Sequence, residues 1–150
     1  MVCDRRVCAM ADPGHPVGMR VRCVGAIVHD AEGRLLVILR GRPPSAGLWS
    51  LPGGRVEKEE SDAEAVVREL AEETGLRVEP GRLIGSVERP GPGGVTYDIH
   101  DYAATVTGGE LSAGDDAADA RWITPAELRR LPTTDGLLDA LTTWQVLPGG

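Results

Sequence analysis

Three glutamates stand close together in one short segment of the chain, at positions 69, 72 and 73. In a helix, spacings of three and four residues place Glu69, Glu72 and Glu73 on one face, about one turn apart. Carboxylates this close repel each other, and a hard divalent cation such as Mg²⁺ offsets that repulsion because it prefers oxygen ligands. The spacing therefore predicts a metal site, and the alternative is an acidic face that only contacts water.

The residues around these glutamates follow a fixed spacing. Gly54 is followed by Glu60, then by Arg68–Leu70, Glu72–Glu73 and Gly75–Leu76. The pattern resembles the Nudix box, G-x5-E-x7-R-E-U-x-E-E-x-G-U, where U is aliphatic. All nine specified positions within these 23 residues agree, so a chance match is very improbable. The chain is thereby identified as resembling the Nudix hydrolases.

The resemblance implies an α/β fold, the Nudix-type α/β/α sandwich around a mixed sheet. It covers residues 20–150 as a single domain. Residues 1–19, rich in Pro and Gly with a basic pair but no apolar run, are expected to form a disordered leader rather than a signal peptide.

The resemblance also assigns roles to the residues of the box. It implies that Glu69, Glu72 and Glu73 bind Mg²⁺, with Mn²⁺ as a substitute, together with the backbone carbonyl of Gly54. Arg68 is expected to orient one of these carboxylates.

Glu60 has two interpretations. It is either a peripheral metal ligand or a structural acid, because Glu60, Glu64 and Arg68 also form an i,i+4 ladder.

The activity that the resemblance implies is hydrolysis of the anhydride bond in a nucleoside diphosphate derivative. A general base must accept a proton from the attacking water. Glu69 and Glu72 are candidates for this base, and so are Asp115 and Asp116 on a downstream loop. The box alone does not choose between them.

Two features outside the box favour ADP-ribose as the substrate. Pro90 lies fifteen residues beyond Gly75, and the segment 108–117 (GGELSAGDDA) follows. Both resemble the ADP-ribose pyrophosphatase group, although turns also collect such residues. The alternative substrate is a nucleoside triphosphate, including oxidised nucleotides, and a minor alternative is a non-catalytic nucleotide sensor.

Three further residues are candidates for contacts with the substrate. Arg40 ends a predicted strand, where it could reach a phosphate. Tyr97 could stack on a base, although tyrosine is also a common strand residue. Asp116 belongs to the downstream loop. Trp49 and Trp122 are expected to pack in the core.

The elements that must position these residues can be read from the apolar pattern. Strands are predicted at residues 21–29, 34–40, 83–88, 95–106 and 120–123, the first two as a hairpin, with an irregular loop over residues 41–54. A capping box at Ser61 and Glu64 begins a helix that Gly75 ends. Further helices are predicted from a second capping box at Thr124 and over about residues 135–144.

On the box helix, the wheel predicts which side packs against the sheet. The apolar residues expected to face the sheet are Ala63, Val66, Val67, Leu70 and Thr74. The glutamates and Ala65 are expected to share another side.

Composition limits the class of protein. A chain of 150 residues with 41% hydrophobic residues suits one globular domain. The net charge of -7 argues against nucleic acid as a partner but not against a small nucleotide. No apolar run is long enough for a membrane span.

The odd cysteine count (Cys3, Cys8 and Cys23) predicts free thiols in a reducing cytoplasm. A homodimer is left open.

Overall fold

The computed structural model describes residues 19–43, 45–114 and 117–147. Residues 1–18 of the expected leader lie outside this part, as do Asp115 and Asp116. The strands are β1 (Arg20–Ile27), β2 (Leu35–Arg40), β3 (Trp49–Ser50), β4 (Gly53–Arg55), β5 (Leu76–Pro90), β6 (Thr96–Gly109) and β7 (Ala117–Ile123). The helices are α1 (Asp62–Thr74), α2 (Pro125–Leu128) and α3 (Leu137–Thr143).

The strands form two sheets. A four-stranded sheet has the order β4-β1-β6-β5, and a three-stranded sheet has the order β3-β2-β7. The first sheet is mixed, because β1 pairs in parallel with β6 and antiparallel with β4. The α/β fold with a mixed sheet is therefore confirmed.

The predicted hairpin of residues 21–29 and 34–40 is only partly correct. The two strands meet at the turn, where His29 bridges Leu35 and the Leu36 amide donates to the Val28 carbonyl. Beyond that point β1 joins the four-stranded sheet and β2 joins the other. Each strand finds a longer partner elsewhere, so the hairpin ladder stops after the turn.

The loop predicted over residues 41–54 contains two short strands. Trp49 and Ser50 pair with β2, and Gly53 pairs with Gly25 of β1. Both strands are too short to give an alternating apolar pattern. The hairpin of β5 and β6 is also longer than predicted, because β5 begins immediately after Gly75.

Helix α1 has the bounds that its end signals predict. The Ser61 side chain accepts from the Glu64 amide, and the Glu64 side chain accepts from the Ser61 amide. Gly75 ends the helix in the left-handed conformation, with φ of 74°. Beyond it, the amides of Ser112 and Gly114 donate to the carbonyls of Thr74 and Glu73. The loop after β6 therefore completes the hydrogen bonds of the helix end.

The face of α1 that packs against the sheet differs from the prediction. The buried residues are Ala65, Val66, Leu70, Glu73 and Thr74. Val67 is 41% exposed and Ala63 is also exposed. The helix is rotated towards its acidic side, because Glu73 accepts a hydrogen bond from the Gly53 amide. The carboxylates therefore border the core instead of forming a separate outer face.

Two hydrophobic clusters form the core. One lies between α1 and the four-stranded sheet, around Val24, Ala26, Val66 and Leu70. The other joins the three-stranded sheet to α2 and α3 and includes Trp49, as expected. None of the helices in the described residues has the length and apolar character to cross a bilayer.

The end of α1 gives a test of how tightly its position is fixed. A Cβ atom at Gly75 would lie 2.6 Å from the Glu110 carbonyl oxygen. We expect Gly75→Ala to lower the free energy of unfolding by about 2–3 kcal/mol, through left-handed strain and this collision. Urea denaturation measures the loss.

Gly33 provides the matched control. It also has positive φ, at 79°, but a Cβ atom there would meet nothing within 4 Å. Gly33→Ala should therefore lower the free energy of unfolding only through left-handed strain, by about 1 kcal/mol. Equal losses for the two variants would mean that the loop does not fix the helix end.

Candidate active site

A cavity of about 640 Å³ lies between β2, β4 and α1. It brings acidic residues together with basic ones. Its acidic walls are Glu57, Glu69 and Glu73, and its basic walls are Arg40, Arg42, Arg55 and Lys58. Such a mixed lining suits a ligand that carries phosphates and a metal ion together.

Two adjacent glycines of β4 bring this strand close to α1. At Gly54, a Cβ atom would lie 2.5–2.8 Å from the carboxylate oxygens of Glu69. The Gly53 amide donates to Glu73 Oε1 at 2.7 Å. Any side chain at Gly54 would displace the Glu69 carboxylate, which explains why glycine stands at this position.

Arg68 bonds to three carboxylates. Its NH1 group donates to Glu69 at 3.0 Å and to Glu72 at 3.2 Å. Its Nε and NH2 groups donate to the two oxygens of Glu60 at 2.8 and 3.0 Å. A further bond from NH2 to the Arg55 carbonyl, at 2.9 Å, ties the helix to β4.

Glu60 has the contacts of a structural acid. Besides the paired bonds from Arg68, its carboxylate accepts from the Glu57 amide at 2.9 Å. Arg68 lowers the pKa of Glu60 to about 2, with help from the Glu57 amide. In this arrangement Glu60 holds Arg68 in place, which favours the structural interpretation.

The box glutamates differ in their surroundings. Glu73 is buried, Glu69 has a side chain that is 14% exposed, and Glu72 has one that is 59% exposed. Burial raises the pKa of Glu69 above its ordinary value, and Arg68 counteracts this only in part. A cation beside Glu69 would therefore favour its charged form.

The donor set fits a hard divalent ion. In the described residues, no three His, Cys, Asp or Glu side chains already stand together as a metal-binding group. The reason is visible: Arg68 bonds to Glu69 and Glu72, while Glu73 bonds to the Gly53 amide. Yet Glu69 lies against the Gly54 backbone, and every ligand offered is an oxygen, as Mg²⁺ prefers.

The structure separates the predicted substrate contacts. Arg40 lines the cavity, where it can reach a phosphate. Tyr97 lies on β6 outside the cavity lining, with the Arg55 guanidinium 5.8 Å from its ring centre. Asp116 and Asp115 lie outside the described residues. Pro90 ends β5 at the tip of the hairpin with β6.

Sequence reasoning missed the basic wall residues Arg42, Arg55 and Lys58, and it missed Asp101. Asp101 is 6% exposed in the middle of β6. Burial raises the pKa of Asp101 to about 6, and the charge of Arg89 offsets this only partly. The sequence signal that could have identified Asp101 is an acidic residue within a segment that otherwise has the pattern of a strand.

Comparison with known proteins agrees with the motif. Residues 19–145 match the profile of the NUDIX domain family. The chain is 41% identical over 105 residues to a Methanocaldococcus jannaschii protein named ADP-ribose pyrophosphatase. It is 37% identical over 103 residues to a Bacillus subtilis protein named putative 8-oxo-dGTP diphosphatase.

The matched regions cover 69% and 68% of this chain. They span 60% of the archaeal relative and 65% of the Bacillus relative. The crystal structure of a MutT NUDIX hydrolase from Burkholderia pseudomallei superposes with a TM-score of 0.71 at 30% identity. That superposition covers 83% of this chain and 97% of the other.

The buried Asp101 predicts a dependence of stability on pH. Because its folded pKa is raised, its stabilising contribution is present below about pH 4 and is lost as the pH rises through about 6. Asp101→Asn removes the ionisation, so it should raise the free energy of unfolding by about 1–3 kcal/mol above pH 7. The gain should vanish near pH 4.

Thermal unfolding across this pH range measures the effect. Asp139→Asn, at an exposed position of α3, is the control and should show no gain that grows with pH. If Asp101→Asn loses stability equally at every pH, the carboxylate is stabilised by the fold rather than penalised by burial.

Proposed function

We propose, since the chain belongs to the NUDIX domain family, that it is a metal-dependent pyrophosphohydrolase acting on a nucleoside diphosphate derivative. The observation that carries this proposal is the cavity whose acidic and basic walls meet at Gly53 and Gly54. One wall offers oxygen ligands to a cation, and the other offers cations to phosphates.

Four groups would hold the metal: the Gly54 carbonyl and the carboxylates of Glu69, Glu72 and Glu73. When bound, Mg²⁺ or Mn²⁺ supplies positive charge to the phosphate oxygens in a cavity that already excludes part of the solvent. Glu69 and Glu72 accept from Arg68 in the absence of an ion and would serve as its ligands, and the paired bonds to Glu60 would keep the guanidinium in place.

The reaction needs a proton acceptor beside the attacked phosphorus. A water oxygen forms the new bond to phosphorus, its proton passes to a carboxylate, and the bridging P–O bond breaks. Glu69 and Glu72 are the candidates within the box, with Asp115 and Asp116 as the alternatives. The departing phosphate leaves with the electron pair of the broken bond.

The basic wall stabilises the charge on the phosphates. Arg40 ends β2 and Arg42 follows it, and Arg55 ends β4 with Lys58 after it, so two separate segments place cations around the same cavity. Arginine offers paired donors to phosphate oxygens. These residues would give the chain its contacts with the phosphates of the substrate.

ADP-ribose is the substrate that we propose, with AMP and ribose 5-phosphate as products. Its support is the likeness to the archaeal relative of that name, together with Pro90 and the segment 108–117. A nucleoside triphosphate is the second candidate, and the Bacillus relative favours it. The free thiol of Cys23 is consistent with a cytoplasmic enzyme.

The first prediction of this proposal concerns the division of roles along α1. Glu69→Gln and Glu73→Gln each keep the size of the side chain but remove one charge. Each should lower kcat about a hundredfold or more, because a metal ligand or base is lost. Steady-state hydrolysis with Mg²⁺ measures this, and excess chelator gives the reference for complete loss.

Glu64→Gln is the matched control on the same helix. Glutamine still closes the capping box with Ser61, so kcat should stay within about a few-fold of the parent. If all the variants keep parental rates, the acidic residues of α1 have no part in catalysis.

The second prediction concerns the substrate. ADP-ribose should be cleaved with a higher kcat/KM than any nucleoside triphosphate, because Pro90 and the segment 108–117 resemble the ADP-ribose pyrophosphatase group and the archaeal relative carries that name. Chromatography of the products separates AMP and ribose 5-phosphate from pyrophosphate. If 8-oxo-dGTP or another triphosphate has the highest kcat/KM, the second candidate replaces the first.

A further inference from the structure

The loop that follows β6 runs back along the last turn of α1. This capping loop comprises residues 110–114 (ELSAG). The Ser112 amide donates to the Thr74 carbonyl at 2.9 Å. The Gly114 amide donates to the Glu73 carbonyl, also at 2.9 Å. These bonds join the end of the helix to a segment that is distant in the sequence.

Gly114 lies in direct contact with the helix backbone. A Cβ atom at Gly114 would lie 1.6 Å from the Glu72 carbonyl oxygen and 3.2 Å from the Cα atom of Glu73. Both are backbone atoms, so no rotation of a neighbouring side chain could make room. Gly114 does not adopt the left-handed conformation. The contact with Glu72 and Glu73 is therefore the structural reason for glycine at this position.

The capping loop acts at the end of α1 that is least suited to carboxylates. Glu72 and Glu73 stand in the last turn, where the unpaired carbonyls of a helix carry partial negative charge. The last turn of α1 contains no basic residue. The amides of Ser112 and Gly114 supply donors to these carbonyls, so they offset part of this negative charge.

Glu73 connects the capping loop to the cavity. Its carbonyl accepts from the Gly114 amide, and its carboxylate accepts from the Gly53 amide at 2.7 Å. The Glu73 side chain is buried, so it cannot change direction unless its neighbours also move. A shift of the Glu73 backbone would therefore also shift its carboxylate.

We propose that Gly114 is a positioning residue of the metal site, because its contact with the backbone of Glu72 and Glu73 sets where their carboxylates meet the ion. The inference rests on the proposed function, since these carboxylates are among the proposed ligands. Mg²⁺ demands near-ideal octahedral geometry. A small displacement of two ligands would therefore weaken its binding even while the helix stays folded.

Gly114→Ala tests the proposal through metal affinity. The added methyl group must displace the Glu72 carbonyl, and the last turn of α1 must move with it. Calorimetric titration of Mn²⁺ into the folded, metal-free protein should show a dissociation constant that is about tenfold higher or more. The Mg²⁺ concentration that gives half-maximal hydrolysis should rise by the same factor.

Two control variants separate positioning from other effects of substitution. At Gly108, close to the loop, a Cβ atom would meet only the guanidinium end of Arg77, which can move away. Leu137→Ala removes apolar contacts from the other hydrophobic cluster, so it should lower the melting temperature. Gly108→Ala and Leu137→Ala should both keep the Mn²⁺ dissociation constant within about twofold of the parent value.

Amide hydrogen exchange gives a readout that needs no metal. In the metal-free parent, the Gly53 amide is held by the Glu73 carboxylate. If Gly114→Ala shifts this carboxylate, exchange of the Gly53 amide should become about tenfold faster. In Gly108→Ala the Gly53 amide should exchange at the rate of the parent.

The parent protein provides a second test, which holds even if Gly114→Ala does not fold. Coupling between two sites is reciprocal, so saturating Mg²⁺ should slow exchange of the Ser112 and Gly114 amides about tenfold. The Gly33 amide is the reference, because it donates to the Asp30 carbonyl in the turn between β1 and β2. Its exchange rate should not change.

The outcomes are distinct. The role of Gly114 is wrong if Gly114→Ala folds and binds Mn²⁺ with the affinity of the parent, or if Mg²⁺ binds without slowing exchange in the capping loop. It is also wrong if Leu137→Ala loses as much affinity, since lower stability would then explain both losses. Hydrolysis by the parent under any of these results leaves the proposed function intact. If the parent neither binds a divalent ion nor hydrolyses a nucleoside diphosphate derivative, the proposed function fails, and this inference fails with it.

Discussion

The guanidinium of Arg68 is the interaction on which the acidic segment depends. Without it, the carboxylates of Glu60, Glu69 and Glu72 would repel each other at the end of a cavity that also holds Glu73. Arg68 donates to the first three and to the carbonyl of Arg55. These bonds raise the pKa of Arg68 above its ordinary value, chiefly through Glu60. The helix, the preceding loop and β4 are thereby held as one unit.

The second constraint is the pair of glycines that begins β4, Gly53 and Gly54. Gly54 faces α1, whereas Gly53 lies directly against the backbone of β1. At Gly54 the lack of a Cβ atom admits the Glu69 carboxylate. At Gly53 it lets β1 approach, because a Cβ atom there would lie 2.1 Å from the Val24 carbonyl oxygen. The same short strand thus packs closely against both α1 and β1, and this close packing brings its backbone beside the box carboxylates.

Sequence reasoning succeeded where the signal is local. The ends of α1 follow from the chemistry of Ser61, Glu64 and Gly75, whose hydrogen bonds involve residues a few positions away. The orientation of α1 could not be predicted, because it depends on the bond between Glu73 and an amide twenty residues earlier. A helical wheel treats Glu73 as a polar residue and therefore predicts that its side chain faces solvent.

Features that arise from strand register could not be predicted from the sequence either. Gly25, Gly53, Gly85 and Asp101 are far apart in the chain, and only the pairing of four strands makes them neighbours. The basic wall also depends on how distant segments meet, since it combines residues at the end of β2 with residues at the end of β4. The box motif identifies the proposed metal ligands within one segment of the chain. The positions of the basic residues depend instead on how β2 and β4 pack around the cavity.

The central claim is that a divalent ion binds where Glu69 and Glu73 approach β4. Paramagnetic broadening by Mn²⁺ in amide NMR spectra locates such an ion directly, because the effect falls steeply with distance. As substoichiometric Mn²⁺ is added, the amide signals of Gly53, Gly54, Glu69 and Glu73 should disappear first, and those of Glu64 and Ser61, about 8 and 12 Å along the helix from Glu69, should broaden later. Broadening centred on Glu57 and Glu59, or spread evenly over the acidic surface, would contradict the account.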